Sequence, residues 1–209
     1  MTEVPYRARA ARTAARTCTA IALAALALGL AAGPARAADE KKKETGMKKD
    51  VAVLKTTMGT VVFEFLPDVA PKMVENFKEL ANSGFYNGTT FHRVINGFMI
   101  QGGDPLSKDN DPTNDGTGAG PRKMPAEFTT KYTHVRGMVS TARSNDPNSG
   151  SCQFFVVQKD THSLDNKYTI FGKVIEGMDV VDKISVVPKD QRDRPLKNVV
   201  METVTVETR

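Results

Sequence analysis

The chain has 209 residues, with 29 Lys and Arg against 24 Asp and Glu, a formal net charge of +5 and two cysteines. Its basic excess is confined to residues 1–37, which hold five Arg and one Glu; without them the formal charge falls from +5 to +1, so a nucleic-acid partner loses its electrostatic support. Cys18 lies in that same segment, so once residues 1–37 are removed Cys152 is left alone and no intrachain disulfide is possible.

The first element is a leader. Arg7, Arg9, Arg12 and Arg16 precede an Ala/Leu run from Ile21 to Gly33, and Ala35-Arg36-Ala37 follows as a small-x-small cleavage signal. This order predicts a secretory signal peptide over 1–37, cut after Ala37. The apolar run of about thirteen residues is short of the ~20 that span a bilayer, which favours a cleaved leader and a mature form free of the membrane over an uncleaved anchor. The style of the leader points to a bacterial protein, periplasmic or secreted, and 172 of the 209 residues remain, enough for one domain with a real core.

Residues 38–50 are rich in Lys and Glu with no apolar period and read as a charged linker. A single domain is expected over 51–209. Residues 51–55 and 60–65 alternate around Thr56-Thr57-Met58-Gly59, the pattern of a hairpin. Residues 71–83 carry Met73, Phe77, Leu80 and Ala81 at helical spacing, with Pro71 at the start and Gly84 just past the end. Short strands are then expected at 90–94, 99–102, 135–141, 154–158, 168–175 and 201–206, with a short helix near 178–184. Many short strands between turn signals favour a mainly β protein closed into a barrel, which removes exposed edges.

Two segments carry the chemistry. Residues 91–103 read Phe-His-Arg-Val-Ile-Asn-Gly-Phe-Met-Ile-Gln-Gly-Gly and set one cation, Arg93, among aromatic, aliphatic and thioether side chains, with Gln101 as a two-way hydrogen bonder. Residues 150–157 read Gly-Ser-Cys-Gln-Phe-Phe-Val-Val. In a strand, Gln153 and Phe155 share one face and Phe154 takes the other, so one Phe fills a core while its neighbours line a groove. Such walls suit an extended peptide with an apolar side chain and a backbone carbonyl. Arg93 could equally pair with a carboxylate under a loop; these residues alone leave both readings open. Cys152 is expected to be buried or half-buried, as a small cysteine usually is.

Taken together, these residues resemble the cyclophilin-type peptidyl-prolyl isomerases. The matching pieces are residues 91–95 and 97–104, Gly116-Thr117-Gly118, Ala126-Glu127-Phe128, residues 149–155 and Phe171-Gly172-Lys173-Val174, which occur in the family's order. The resemblance implies eight antiparallel strands in a closed barrel with two helices. It implies Arg93 as the catalytic residue. Phe98, Met99, Phe155 and Leu164 would form the proline pocket, and Gln101, Gln153 and the backbone around Ala142 would hold the peptide. Tyr168 and Ser163 stand at the pocket rim, where animal members often carry His and Trp, so the substrate and inhibitor preferences of this chain stay open.

The chemistry agrees with that resemblance. An X–Pro bond turns slowly because rotation breaks amide resonance, a barrier of about 18–20 kcal/mol. A guanidinium can donate to the pyramidal nitrogen or nearby carbonyl of the twisted form and stays charged at any working pH. Such a reaction calls for no metal, cofactor or nucleophile. His92, His134 and His162 lack close metal-ligand spacing. Asp111-Pro112-Thr113-Asn114-Asp115-Gly116 lacks the twelfth-position Glu of a calcium loop, where Arg122 stands, and reads as a solvated surface loop. Two functions remain: an isomerase that speeds folding of exported proteins, acting as a monomer on proline-containing segments, or a peptide-binding chaperone that uses the same groove with little turnover.

Overall fold

The computed structural model describes residues 48–109 and 111–209. The predicted signal peptide 1–37 and most of the 38–50 linker lie outside the described residues. Strand β1 runs over Asp50–Thr56 and β2 over Gly59–Phe65, a hairpin that closes with Thr56 opposite Gly59. Helix α1 spans Pro71–Asn82. Then come β3 (Arg93–Ile95), β4 (Met99–Gly102), β5 (Met138–Thr141), β6 (Phe154–Val157) and β7 (Ile170–Glu176). Helix α2 (Met178–Ser185) and β8 (Met201–Thr208) complete the chain.

All pairings are antiparallel, in the order β3-β4-β6-β5-β7-β2-β1-β8. The sheet curls into a half-barrel, and the closed barrel expected from sequence is not formed. The two end strands, β3 and β8, do not pair; the chain ahead of each meets at one bridge, Thr90 opposite Val200. The physical reason lies at the β3 edge. Its Val94 amide donates to Asp193 O at 2.9 Å, and its carbonyl accepts from Lys189 Nζ at 3.0 Å. The loop around 189–193 thus covers the edge that β8 would need.

One face of the sheet packs the main core. Phe63, Phe77, Tyr86, Phe154 and Phe171 form a cluster of mostly edge-to-face rings, with centroids between 4.8 and 5.9 Å apart. Helix α1 delivers Phe77 to it with Met73, Val74 and Leu80 on the same buried stripe. That helix has no side-chain cap of its own at Ala70. Glu127 supplies one from across the chain, its carboxylate accepting from Lys72 N at 3.1 Å and Met73 N at 2.9 Å. This gives the Ala126-Glu127-Phe128 motif a structural task. Cys152 is fully buried, as its position predicts, and burial pushes its thiol up to about 11, so it stays protonated.

The other face carries a smaller cluster of Leu66, Met99, Met138, Phe155, Val157 and Ile170. The alternation predicted for 153–155 is realised: Phe154 enters the main core, and Phe155 enters the second cluster. Strand β3 starts three residues later than predicted because Thr90 bridges to Val200 and Phe91 N donates to Val199 O at 2.9 Å, both outside the ladder. Strand β5 likewise starts at Met138, after Gly137 turns the chain with φ of +88°.

Candidate functional site

Strand register builds the site. Arg93 opens β3 opposite Gln101 of β4, Gln101 faces Phe155 of β6, and Phe155 faces Ser140 of β5. Residues directly opposed across a ladder share a face, so a cation, an amide and an aromatic ring stand in one row on the side away from the main core. The next row sets Met99 beside Ile95 and Val157. Phe98 is presented by the β3–β4 turn, where Gly97 takes φ of +77°, a conformation that side-chain-bearing residues avoid.

Three loops complete the walls. Ala142 follows β5 and is tied down by its amide, which donates to Gln153 O at 2.9 Å. Leu164 ends a single 3₁₀ turn, His162–Leu164, and Tyr168 precedes β7. A cavity of about 120 Å³ is lined by Arg93, Phe98, Met99, Gln101, Phe155 and Leu164, with Ala142, Arg143 and Tyr168 on its remaining side. The Phe155 and Tyr168 rings meet edge to face, with centroids 5.7 Å apart. A second cavity of about 240 Å³ adjoins it, sharing Gln101, Ala142 and Arg143 and adding Gln153 and the loop from Gly116 to Ala119. All the site residues expected from sequence are therefore gathered along one groove, with Gln153 in the adjoining cavity rather than in the apolar one.

Behind Arg93 runs an amide relay. Arg93 Nη1 donates to Gln101 Oε1 at a long 3.5 Å, and Gln101 Nε2 donates to Gln153 Oε1 at 2.9 Å. Gln153 Nε2 donates to the carbonyls of Gly116 at 3.0 Å and Gly118 at 2.8 Å. Those two glycines are held from behind by the fully buried Asp104. Its Oδ2 accepts from Gly116 N at 2.5 Å and Gly118 N at 3.2 Å, while Oδ1 accepts from Leu106 N at 2.8 Å. A Cβ on Gly118 would lie 1.9 Å from Asp104 Oδ1, so only glycine admits this approach. A buried carboxylate thus fixes a loop, the loop orients two amides, and the amides set the guanidinium. No carboxylate lies within salt-bridge distance of Arg93 among the described residues. The structural alternative, an arginine neutralised under a loop, is not realised there.

The apolar wall is braced by histidine. His134 is fully buried, stacks on Phe155 at 6.1 Å between centroids, and contacts Asp165 Oδ1 through Nδ1 at 2.8 Å. Burial pushes its pKa below the ordinary histidine value, against the pull of Asp165. Asp165 also accepts from His134 N at 2.7 Å and touches His162 Nδ1 at 2.9 Å. Partial burial would raise that carboxyl, but these bonds hold it below the usual range. The groups that sequence reasoning passed over are His134, Asp104 and Arg143. Asp104 was visible as the end of the Gly-Gly-Asp run, and Arg143 as the neighbour of Ala142.

Comparison with known proteins gives a consistent result. The family model described as cyclophilin type peptidyl-prolyl cis-trans isomerase matches residues 51–206. A probable peptidyl-prolyl cis-trans isomerase of Brucella abortus is 44% identical over 170 residues, covering 79% of this chain and 82% of that protein. A peptidyl-prolyl cis-trans isomerase of Arabidopsis thaliana is 41% identical over 157 residues, and there this chain spans only 24% of the relative's length. Among solved structures, a cyclophilin type peptidyl-prolyl cis-trans isomerase of Cryptosporidium parvum, determined in the presence of the dipeptide Ala-Pro, superposes with a TM-score of 0.69. It is 30% identical and is covered over 99% of its length by 76% of this chain.

Proposed function

The chain belongs to the cyclophilin-type peptidyl-prolyl cis-trans isomerases, and from that premise we propose that Arg93 is its catalytic residue and the groove beside it the seat of an X–Pro segment. The observation that supports this most directly is the row Arg93–Gln101–Phe155: a guanidinium without a carboxylate partner among the described residues, set at the mouth of an apolar cavity. The prolyl ring enters between Phe98, Met99, Phe155 and Leu164, and Tyr168 closes the rim. Gln101, Gln153 and the Ala142 backbone hold the flanking chain. The Cryptosporidium parvum relative was determined in the presence of Ala-Pro, which fits a proline-containing peptide as the ligand class.

With the ring gripped, the chain on the other side of the bond is free to turn. As the amide twists, its nitrogen becomes pyramidal and regains a lone pair. Arg93 can donate to that nitrogen or to the adjacent carbonyl, and its hydrogen bond is stronger in the twisted form than in either planar isomer. Each ~1.4 kcal/mol of such differential stabilisation multiplies the rate tenfold. The amide relay adds rigidity, so that little reorganisation is needed when the bond twists. Arg93→Ala is expected to lower kcat/KM by orders of magnitude with an unchanged circular dichroism spectrum, and Arg93→Lys to be poor because an ammonium lacks the planar fork. Full turnover by folded Arg93→Ala protein would instead leave a peptide-binding chaperone as the better account.

The cellular setting belongs to the same proposal. The Arg-rich start, the Ala/Leu run and the Ala-x-Ala signal support export from a bacterial cell, with the monomeric enzyme acting on other exported chains. Mass spectrometry of the protein recovered from the envelope or medium should find a mature start at Ala38. A start at or before residue 20 would refute it.

A further inference from the structure

Arg143 lies at the saddle between the two cavities and lines both. Its guanidinium is fixed from several sides. Cζ stands 4.5 Å from the centre of the Tyr168 ring. Nε and Nη2 donate to Lys167 O at 3.0 and 2.8 Å, and Nη1 donates to Ser144 O at 2.8 Å, with a longer contact of 3.4 Å to Asn145 O. Every one of these partners is neutral. Among the described residues Arg143 has no carboxylate within salt-bridge distance, whereas Arg122, Arg136, Arg192, Arg194 and Arg209 each have at least one. An arginine stacked on an aromatic ring and held by carbonyls is preorganised without being neutralised. One N–H of Nη2 remains without a partner and is available to a ligand.

The rest of the groove has the same sign. Beyond Arg93 a third cavity of about 320 Å³ is lined by Arg192 and Arg194, and its one acid, Asp115, is already engaged by Arg194 Nε at 2.5 Å. Across the three adjoining cavities the charged lining residues are thus Arg93, Arg143, Arg192 and Arg194 against Asp115 alone; Arg192 also stands 3.9 Å from Asp190 Oδ2 just outside the lining, so Arg93 and Arg143 are the two lining arginines without a carboxylate within salt-bridge distance among the described residues. The formal charge beyond residue 37 is only +1, so this is a local concentration of charge and not a reflection of the whole chain.

We propose that Arg143 is a specificity-determining residue that selects segments in which an acidic side chain lies within two residues of the proline, its carboxylate meeting the guanidinium at the saddle. The proposal rests on the isomerase reading of the groove for its ligand class, and the test separates the two. Peptides carry one proline and a single Glu, Gln or Lys one or two residues to either side. Each is assayed for isomerisation and, independently, for binding by titration calorimetry. In the wild-type protein the best-placed Glu should exceed Gln by about threefold to tenfold in kcat/KM and in affinity, the range of a half-exposed, charge-assisted contact. Lys at that place should be the poorest. The preference should shrink as salt rises from about 50 to about 500 mM. Arg143→Gln should bring Glu and Gln within twofold of one another, and Arg143→Glu should reverse the order in favour of Lys. The ratio between peptides is the reading, so a general loss of turnover in a variant cancels. If a variant fails to fold, the salt series on the wild-type protein reads the same charge. Equal handling of Glu and Lys at every placement, or a Glu preference that survives Arg143→Gln, overturns the proposal while leaving the isomerase intact. A Glu preference in calorimetry with no turnover of any peptide would support it and refute the isomerase reading.

Discussion

Replacing Asp104 with alanine removes the carboxylate that anchors the backbone amides of the 116–118 loop, and its cost can be worked from three hydrogen bonds. The carboxylate is fully buried and accepts from Leu106 N, Gly116 N and Gly118 N at 2.8, 2.5 and 3.2 Å. Bonds to a charged acceptor are worth about 1.5–3 kcal/mol each, but the three are not independent, and solvent can reach the freed loop amides. A net loss of about 3–5 kcal/mol follows, the usual range for breaking a buried polar anchor. For a domain of this size each kcal/mol moves the melting point by roughly 2–4 °C, so Tm should fall by about 6–20 °C. Activity should fall too, measured well below the new Tm, because the Gly116 and Gly118 carbonyls orient Gln153, Gln153 orients Gln101, and Gln101 touches Arg93. A tenfold to hundredfold loss of kcat/KM is expected, about 1.4–2.7 kcal/mol of transition-state stabilisation.

The control is Asp104→Asn. An amide keeps one acceptor oxygen, but its NH₂ would confront a backbone donor, so either Leu106 or the glycine pair loses its partner. Its losses in stability and in turnover should both be intermediate. Thermal melting and a proline-switch assay on the three proteins decide the matter. Asp104→Ala melting within about 2 °C of wild type, or turning over peptide at the wild-type rate while folded, would show that the relay does not transmit the loop's position to Arg93.

The elements that sequence made legible are those set by local pattern. The 99–102 strand falls where alternation puts it, α1 ends one residue short of its expected stop, and the opposite facings of Phe154 and Phe155 follow from strand period alone. The site residues were legible because the aromatic, amide and cationic side chains sit in two short runs that become neighbouring strands. What was not legible depends on partners far away in the chain. Glu127 caps a helix 54 and 55 residues earlier. Asp104 acts on glycines 12 and 14 residues later. The open edge at β3 is decided by a loop near residue 190, which no window around Val94 contains. Arg143 has no local sequence signal of its own, and its importance lies in carbonyl partners that only the folded loops bring to it.

Two further tests follow from the same geometry. Glu127→Ala should cost about 1–2 kcal/mol of stability by uncapping α1, with kcat/KM unaltered because the residue lies outside the groove; a variant as stable as wild type in urea would mean that solvent caps the helix equally well. Stability should also depend on pH through His92 and His134, both buried and both pushed below the ordinary histidine pKa by that burial. Above pH ~6.5 each is neutral in the folded and unfolded states, so the protein loses nothing there. Below it the unfolded chain takes up protons that the folded chain resists, and the state binding more protons gains. Stability must therefore fall on acidification, by up to about 1.4 kcal/mol per pH unit for each histidine until its depressed folded pKa is reached. Asp165, whose folded pKa is lowered, loses its contribution only as pH falls below the carboxylate range near 3.8, so it does not confuse this window. Urea unfolding at pH 7.5 and 5.5 measures the drop. His134→Phe should remove its share of the slope whatever it does to absolute stability, because phenylalanine has no proton to gain. The two curves of the wild-type protein superposing would mean that both imidazoles reach solvent and protonate without penalty, and the packing of His134 behind Phe155 would then be looser than its full burial implies.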